Sequence, residues 1–240
     1  MISGNPGRPT PSGPPERSAP IVRLSRSALE RNLRRVLSGV DAGVIDVRAD
    51  AWGHGARFVA RSAVEAGAAA VLADPWAALA LADVVDGRRV LASGPTLDPN
   101  AVFGLSDTTA PVMSAHGWVV SLKALRKGEG VSYGYTHRAA RDTTVALVTG
   151  GYAQGIVRAL GNVASVAIAG RRHPIVGRVA MDVCVVDVGD SGVARGDEVA
   201  FFGDPATGAP AIGEWVAGTG MSAGELAAAV GMHAAREYVP

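Results

Sequence analysis

"GVIDVRADAWGHGARFVARSAVEAGAAAVLAD", residues 43–74, sets the architecture of the first half of the chain. "GVIDVRA" is a short, β-branched apolar run that breaks into a loop carrying Gly53, His54 and Gly55. "ARFVARSAVEAGA" then repeats its apolar residues at helical spacing and closes on Gly67, and "AAVLAD" is a second strand-like run. Strand, helix, strand with short links is the grammar of a parallel pair, because a chain can return to the same sheet edge only by crossing over its face. Working downstream, "PWAALALADVVDG" reads as a helix with proline in its first turn and Gly87 at its end, followed by a third strand, "RRVLASG". Upstream, "RLSRSALERNLRRVL" places Leu29, Leu33, Val36 and Leu37 on one helical face, with Ser25 or Ser27 as its cap.

The alternation stops at "PTLDPNAVFGLSDTTA", a turn-rich link with room for a short helix at most. Beyond Pro111 the pieces "PVMSAHGWVVSLKALRKGEGVSYGYT", "TTVALVTGGYA", "ASVAIAGRRHPIVGRVAMDVCVVDVGD" and "GDEVAFFGD" are β-rich and parted by Gly and Pro turns, the pattern of an antiparallel barrel or sandwich. A helical stretch, "SAGELAAAVGMHAAREY", follows them. The expected organisation is a disordered Pro/Gly-rich tail over 1–20, a β/α unit over 21–110 and a β domain over 111–240. The tail expectation rests on six prolines among the first twenty residues, too little apolar surface to offset the entropy of ordering.

Composition narrows the function classes. A chain that is 48% hydrophobic with a net charge of +1 can bury a sizeable core and has no electrostatic reason to seek nucleic acid or a membrane surface. No apolar stretch approaches the ~18 residues of a membrane span, and the first twenty residues lack the apolar middle of a secretory signal. Cys184 is the single cysteine, so no internal disulfide forms, which suits a reducing cytoplasm. Of the basic residues only Lys123 and Lys127 carry primary amines.

Taken by themselves, the motifs leave alternatives open. Gly53 and Gly55 after a strand would let backbone N–H groups approach an anion to which His54 could donate, but a plain loop explains them equally well. The five histidines show no metal-ligand spacing. Cys184 alternates within a strand as a core residue, and Asp182 and Asp187 flank that strand as turn or ladder-end residues do. Tyr133, in "GEGVSYGYTHRA", stands where a strand meets a turn.

Read together, several strings resemble the alanine racemases, pyridoxal-phosphate enzymes with a β/α-barrel and a C-terminal β domain. "RADAWGHGA" is similar to that family's Lys-Ala-(Asn/Asp)-Ala-Tyr-Gly-His-Gly stretch, and "GEGVSYGYTHRA", "GYAQGIVR", "HPIVGRVAMDV", "GDEVAFFG" and "REYV" follow in the family's order. The resemblance implies an α/β + β fold: a partial parallel β/α unit, half of a TIM-barrel-like ring, followed by an antiparallel β-barrel-like domain. The ring is partial because a closed eight-stranded barrel typically takes about 250 residues, far more than lie between Val22 and Pro111.

The resemblance also implies roles. Arg48 stands at the position of the Schiff-base lysine, and Tyr133 at that of the opposite-face base, which in the family reaches into the partner subunit. Trp52, His54 and Tyr152 fall on cofactor-side positions, and Met181 and Asp182 on substrate-side ones. Gln154 stands where the family has an aspartate, and Gly224 at the expected position of an entry-gate tyrosine. A guanidinium stays protonated and offers no lone pair to an aldehyde, so Arg48 cannot form the imine. The reading favoured on the sequence is therefore a degenerate, cytoplasmic, dimerising relative, pairing with itself or with a full-length racemase, with pyridoxal phosphate not covalently bound. Two other readings stand beside it: an active racemase that interconverts L- and D-alanine for cell-wall precursors with an unusual second base, and non-covalent binding of the cofactor or a small amino acid.

Overall fold

The computed structural model describes residues 19–85, 89–106 and 108–240. The expected tail, apart from residues 19 and 20, and the helix end expected at Gly87 lie outside the described residues. The first half runs β1 (Ile21–Ser25), α1 (Arg26–Leu37), β2 (Val44–Asp46), α2 (Arg48–Trp52), α3 (Ala56–Glu65), β3 (Ala70–Leu72), α4 (Ala78–Leu81), β4 (Val90–Leu91) and α5 (Pro99–Phe103). Strands β2, β3 and β4 form a three-stranded parallel sheet, with Val44 opposite Ala70 and Leu72 opposite Leu91. α3 makes the crossover between β2 and β3, as the alternating pattern predicts. The sheet does not close into a ring. Instead the chain returns after β4 and Leu97 donates its N–H to the Val44 carbonyl (2.9 Å), occupying part of the free edge of β2.

Ser25 is the cap of α1: its Oγ accepts from the Ala28 N–H at 3.2 Å. Ala28, Leu29, Asn32 and Leu33 turn inward, and the Asn32 side chain donates to the Val102 and Ala110 carbonyls, tying α1 to the link around α5. Of the helix expected over 75–87, the described residues 75–85 are α-helical at Ala78–Leu81. Its Trp76 and Leu79 are 75% and 87% exposed, so no opposing layer supplies the packing that sustains a longer helix.

The second half runs β5 (Met113–Leu125), β6 (Gly130–Val131), β7 (His137–Arg138), β8 (Thr143–Thr149), β9 (Ser165–Ile168), β10 (Arg171–Pro174), β11 (Val183–Asp187), β12 (Glu198–Phe202), α6 (Ile212–Thr219), α7 (Ala223–His233) and β13 (Ala235–Val239). The main sheet has the order β10-β9-β12-β5-β1-β13, with β8 on β5 and β11 on β8. The thirteen-residue β5 shifts register between Val119 and Ser121, a bulge that bends it so that its two halves serve different neighbours. A bridge between Ile175 and Val186 brings the end of β10 beside β11, so the strand path curls into a barrel-like form.

One strand crosses the sequence halves. β1 pairs antiparallel with β5 and parallel with β13, placing the first described strand inside the β domain's sheet. Its Arg23 holds Glu198 of β12 with two hydrogen bonds (2.6 and 2.8 Å) and reaches Glu237 of β13 at 3.4 Å. Two cores result. One gathers Val22, Leu24, Ile156, Phe201, Phe202 and Trp215, the other Leu29, Leu33, Ile45, Val59, Val71 and Phe103, and Phe58 and Leu105 pack against both. Among the described residues no helix is long and apolar enough to cross a membrane, and no group of three or more His, Cys, Asp or Glu could hold a metal.

Candidate functional site

The residues singled out in the sequence fall into two places. The first is the C-terminal edge of the β2–β3–β4 sheet, where loops of parallel β/α proteins carry their chemistry. Here β2 ends in α2, whose residues Ala49, Asp50, Ala51 and Trp52 all have φ near +50° and whose cap Gly53 has φ +79°. A left-handed turn of L-residues costs roughly 1–2 kcal/mol per residue, so the surroundings must over-determine it. They do so with side chains. Asp74, just beyond β3, accepts from the Ala49 N–H (2.9 Å). Asp50 accepts from the Ala56 N–H at the start of α3 (2.7 Å) and pairs with Arg236 of β13 (2.6 Å). Gly53 lies flat on Gly231 of α7: a Cβ at Gly53 would stand 2.8 Å from the Gly231 Cα.

Arg48 opens this turn, and its guanidinium folds back on Asp46. Nε donates to Oδ1 (3.0 Å) and the terminal nitrogen to Oδ2 (2.6 Å), a two-pronged ion pair, and the Arg48 backbone N–H adds a third bond to Oδ1. Asp46 is 6% exposed, whereas half of the Arg48 side chain meets solvent. The carboxylate holds the guanidinium pKa above its ordinary value. Trp52 packs against Gly224 of α7 and near Phe103 (ring centroids 5.8 Å apart). The Gly224 position, free of a side chain, is filled by the larger ring at 52. His54 is wholly buried and stacked on Phe103, with centroids 4.4 Å apart. Its Nδ1 is 2.9 Å from the Ala51 carbonyl, and Nε2 has no protein partner. Burial pushes its pKa down to about 4, so the ring is neutral at physiological pH.

The second place is the loop end of the β domain. The 3-10 turn Tyr152–Gln154 is stitched to the loop before β11 by backbone bonds: Tyr152 N–H to Ala180 C=O (3.0 Å), Ala153 to Met181 (2.9 Å) and Gly150 to Asp182 (2.9 Å). Gly151 permits this approach, since a Cβ there would strike the Ala180 and Met181 carbonyls. Gln154 accepts from the Gly151 N–H with Oε1 (3.0 Å) and donates from Nε2 to the Asp182 carboxylate (2.9 Å). An aspartate at 154 could not make the second bond, because it would set two acceptors face to face. The Tyr133 loop, between β6 and β7, is fastened beside them by Ser132, whose Oγ donates to the Arg178 carbonyl (2.5 Å). The presented side chains face outward: Tyr133 is 78% exposed, Met181 55% and Tyr152 41%.

The fold thus gathers Tyr133, Tyr152, Met181 and Asp182 at one end, and Arg48, Trp52 and His54 at another. α7 lies between them, with Gly231 against Gly53 on one side and Ala229–Val230 against Gly155 on the other. Sequence reasoning missed Asp46 and Asp74. The available signal was a lone carboxylate closing an apolar strand, two residues before an arginine. Cys184 is a core residue, as expected, with burial pushing its thiol up to about 12. One further constellation has the order of a hydrolytic relay: Ser114 Oγ lies 2.8 Å from His116 Nε2, and His116 Nδ1 lies 2.8 Å from Glu198. There Arg23 already holds the Glu198 carboxylate, and burial together with Arg23 lowers the His116 pKa, so the imidazolium such a relay needs is disfavoured.

Comparison with known proteins bears on this arrangement. Residues 112–238 match the family model "Alanine racemase, C-terminal domain". An alanine racemase of Frankia casuarinae is 42% identical over 149 residues, 62% of this chain and 38% of that protein, and one of Mycobacterium avium is 45% identical over 124 residues, 48% and 32%. The chain thus spans about a third of the length of these curated relatives. Among solved structures, alanine racemase from Streptomyces lavendulae aligns with a TM-score of 0.83 at 20% identity, covering 93% of this chain and 97% of that one. Alanine racemase from Bartonella henselae, with covalently bound pyridoxal phosphate, aligns with a TM-score of 0.77 at 17% identity, covering 92% and 99%. At these identities the structural likeness speaks for the fold. The family model alone takes in more than half of the sequence, and on that ground the chain belongs to the alanine racemase family.

Proposed function

We propose that this protein is a non-racemising member of its family, a two-domain, cytoplasmic protein that pairs through its β domain with a second copy of itself or with a full-length racemase. The observation that carries the reading is the state of position 48. Where the family places a Schiff-base lysine, a guanidinium is held in two prongs by a buried carboxylate.

The residues present do not fit covalently held pyridoxal phosphate. Position 48 supplies no amine, and both lysines, Lys123 in β5 and Lys127 just beyond it, belong to the β domain. Trp52 offers no hydroxyl at its cofactor-side position, and His54 is buried against Phe103 and turned to the Ala51 carbonyl. The opposite end supports a role in pairing. Tyr133, Tyr152 and Met181 are outward-facing on a frame held by backbone bonds, as suits residues presented to another subunit's barrel. By the family resemblance, Tyr133 would be this chain's contribution to a partner's site, with Met181 and Asp182 beside it.

Incubating the purified chain with pyridoxal phosphate, reducing with borohydride and assaying D-alanine from L-alanine tests the catalytic half of the reading. The expected result is an unmodified chain and no turnover. A borohydride-fixed adduct accompanied by racemisation overturns it. Light scattering after size exclusion, alone and with a full-length racemase, tests the pairing half: a two-chain mass supports it, and a monomer in both samples refutes it.

A further inference from the structure

We infer that Asp46 is a second, independent determinant that silences the sheet's C-terminal edge as an aldehyde-reactive site, whatever cation stands at position 48. The inference rests on the proposed non-racemising reading and adds to it a residue that the resemblance does not single out.

The argument starts from the strand. β2 ends at Asp46 and the chain turns at Val47 into α2, so that the Arg48 backbone N–H donates to Asp46 Oδ1 (3.0 Å) and the side chain at 48 starts beside the Asp46 carboxylate. That carboxylate is 6% exposed and is met by three donors, all from residue 48: the backbone N–H, Nε and the terminal guanidinium nitrogen. A buried carboxylate holds on to a cation, because losing it would leave an unpaired charge away from water. A second acid stands close. Asp74 receives the Ala49 N–H and adds to the field on Arg48. Two carboxylates, Asp46 and Asp74, thus act on one guanidinium.

Imine formation has strict requirements. The neutral amine's lone pair attacks the aldehyde carbon, the carbinolamine forms, and water leaves with the aldehyde oxygen. An ammonium has no lone pair to begin the sequence. A lysine placed at 48 with Asp46 intact would replace one ion pair by another and stay protonated. An opposite charge within ~4–6 Å raises an amine pKa by roughly 1–3 units, which removes about ten- to a thousandfold of the reactive form at neutral pH. Substitution of the arginine alone therefore does not restore the site.

The test compares Arg48→Lys, Asp46→Asn/Arg48→Lys and the native chain. Each is incubated with pyridoxal 5′-phosphate at pH 7, reduced with borohydride and mapped by peptide mass to position 48. The double variant is expected to label at 48 at least about tenfold faster than Arg48→Lys. Equal labelling of the two, or no labelling at 48 in the double variant, overturns the inference. Should the double variant fail a thermal-unfolding check, Arg48→Lys alone decides. Labelling at 48 that climbs about sevenfold or more between pH 10 and pH 11, where free lysine with its pKa of about 10.4 climbs only about threefold, supports a carboxylate-held ammonium. A rise no steeper than that of free lysine refutes it. These outcomes are separate from those of the functional reading, whose catalytic half fails if the native chain forms an adduct and racemises alanine and whose pairing half fails if the chain stays monomeric.

Discussion

At the C-terminal edge of the β2–β3–β4 sheet, Asp46, Asp50, Asp74 and His54 all hold partners inside the chain, whereas at the loop end of the β domain Tyr133, Tyr152 and Met181 stand out into solvent. The difference lies in what fixes each loop. The left-handed α2 turn is a strained conformation of ordinary residues, and it is held by its own Asp50 side chain, which accepts from the Ala56 N–H of α3, and by the side chains of Arg236 in β13 and Asp74 beyond β3. The Tyr152 and Met181 loops are held by main-chain bonds, by glycine at 151 and by the Gln154–Asp182 bond, so that Tyr152, whose ring meets the Arg158 guanidinium (5.8 Å), and Met181 need not be drawn inward. A loop fastened by its backbone can display chemistry, and a loop fastened by its side chains spends it on structure.

The strongest test of this contrast is acid. His54 is buried neutral, with its folded pKa near 4 against an unfolded value of about 6.5. Between those values the unfolded chain binds the extra proton, so the contribution is fully present above about pH 6.5 and is lost as pH falls toward 4. The difference corresponds to about 3 kcal/mol at the acid end, at roughly 1.4 kcal/mol per unit. His116 and His173 are also shifted down by burial and add a background of the same sign. Comparing urea unfolding of the native chain with His54→Phe from pH 7.5 to 4.5 isolates the term. Parallel pH profiles for the two proteins would mean that the half-barrel edge does not depend on its buried histidine.

A smaller effect is expected at Asp50. Its carboxylate caps α3 through Ala56 and pairs with Arg236, and aspartate tolerates the left-handed region better than alanine does. Asp50→Ala is expected to cost about 2 kcal/mol, mostly from the lost cap and the added backbone strain, read as a lower urea midpoint with an unchanged slope. A change below about 0.5 kcal/mol would show that the turn is held by packing against Gly231 instead.

What the sequence made legible follows the same division. The three parallel strands, the α3 crossover and the β-rich second half were readable because each rests on local apolar period and glycine punctuation. β1 was not: "IVRLS" is only five residues, and its partners near Ser114 and Glu237 lie far away in sequence. The left-handed α2 turn was hidden because Ala49, Ala51 and Trp52 carry no local preference for positive φ, and Gly53 and Gly55 hinted only at a loop. Tyr133, Tyr152 and Met181 were singled out by their motifs, but their exposure was not legible there. The capture of Arg48 by Asp46 did not, since an arginine in a loop reads as free until the strand face beneath it is known.

The smallest expected effect is the sharpest statement about the displayed end. Tyr133 is 78% exposed, so its hydroxyl is open to water in the single chain. Tyr133→Phe is therefore expected to leave stability within about 0.5 kcal/mol of the native value, as for surface changes away from structural features. A loss above 1 kcal/mol would place the phenol among the groups spent on the fold and dissolve the contrast. If stability holds while association with a full-length racemase weakens, the hydroxyl acts across an interface. That pair of outcomes would assign the placement of Tyr133, on a loop fastened by Ser132, to what lies outside the single chain.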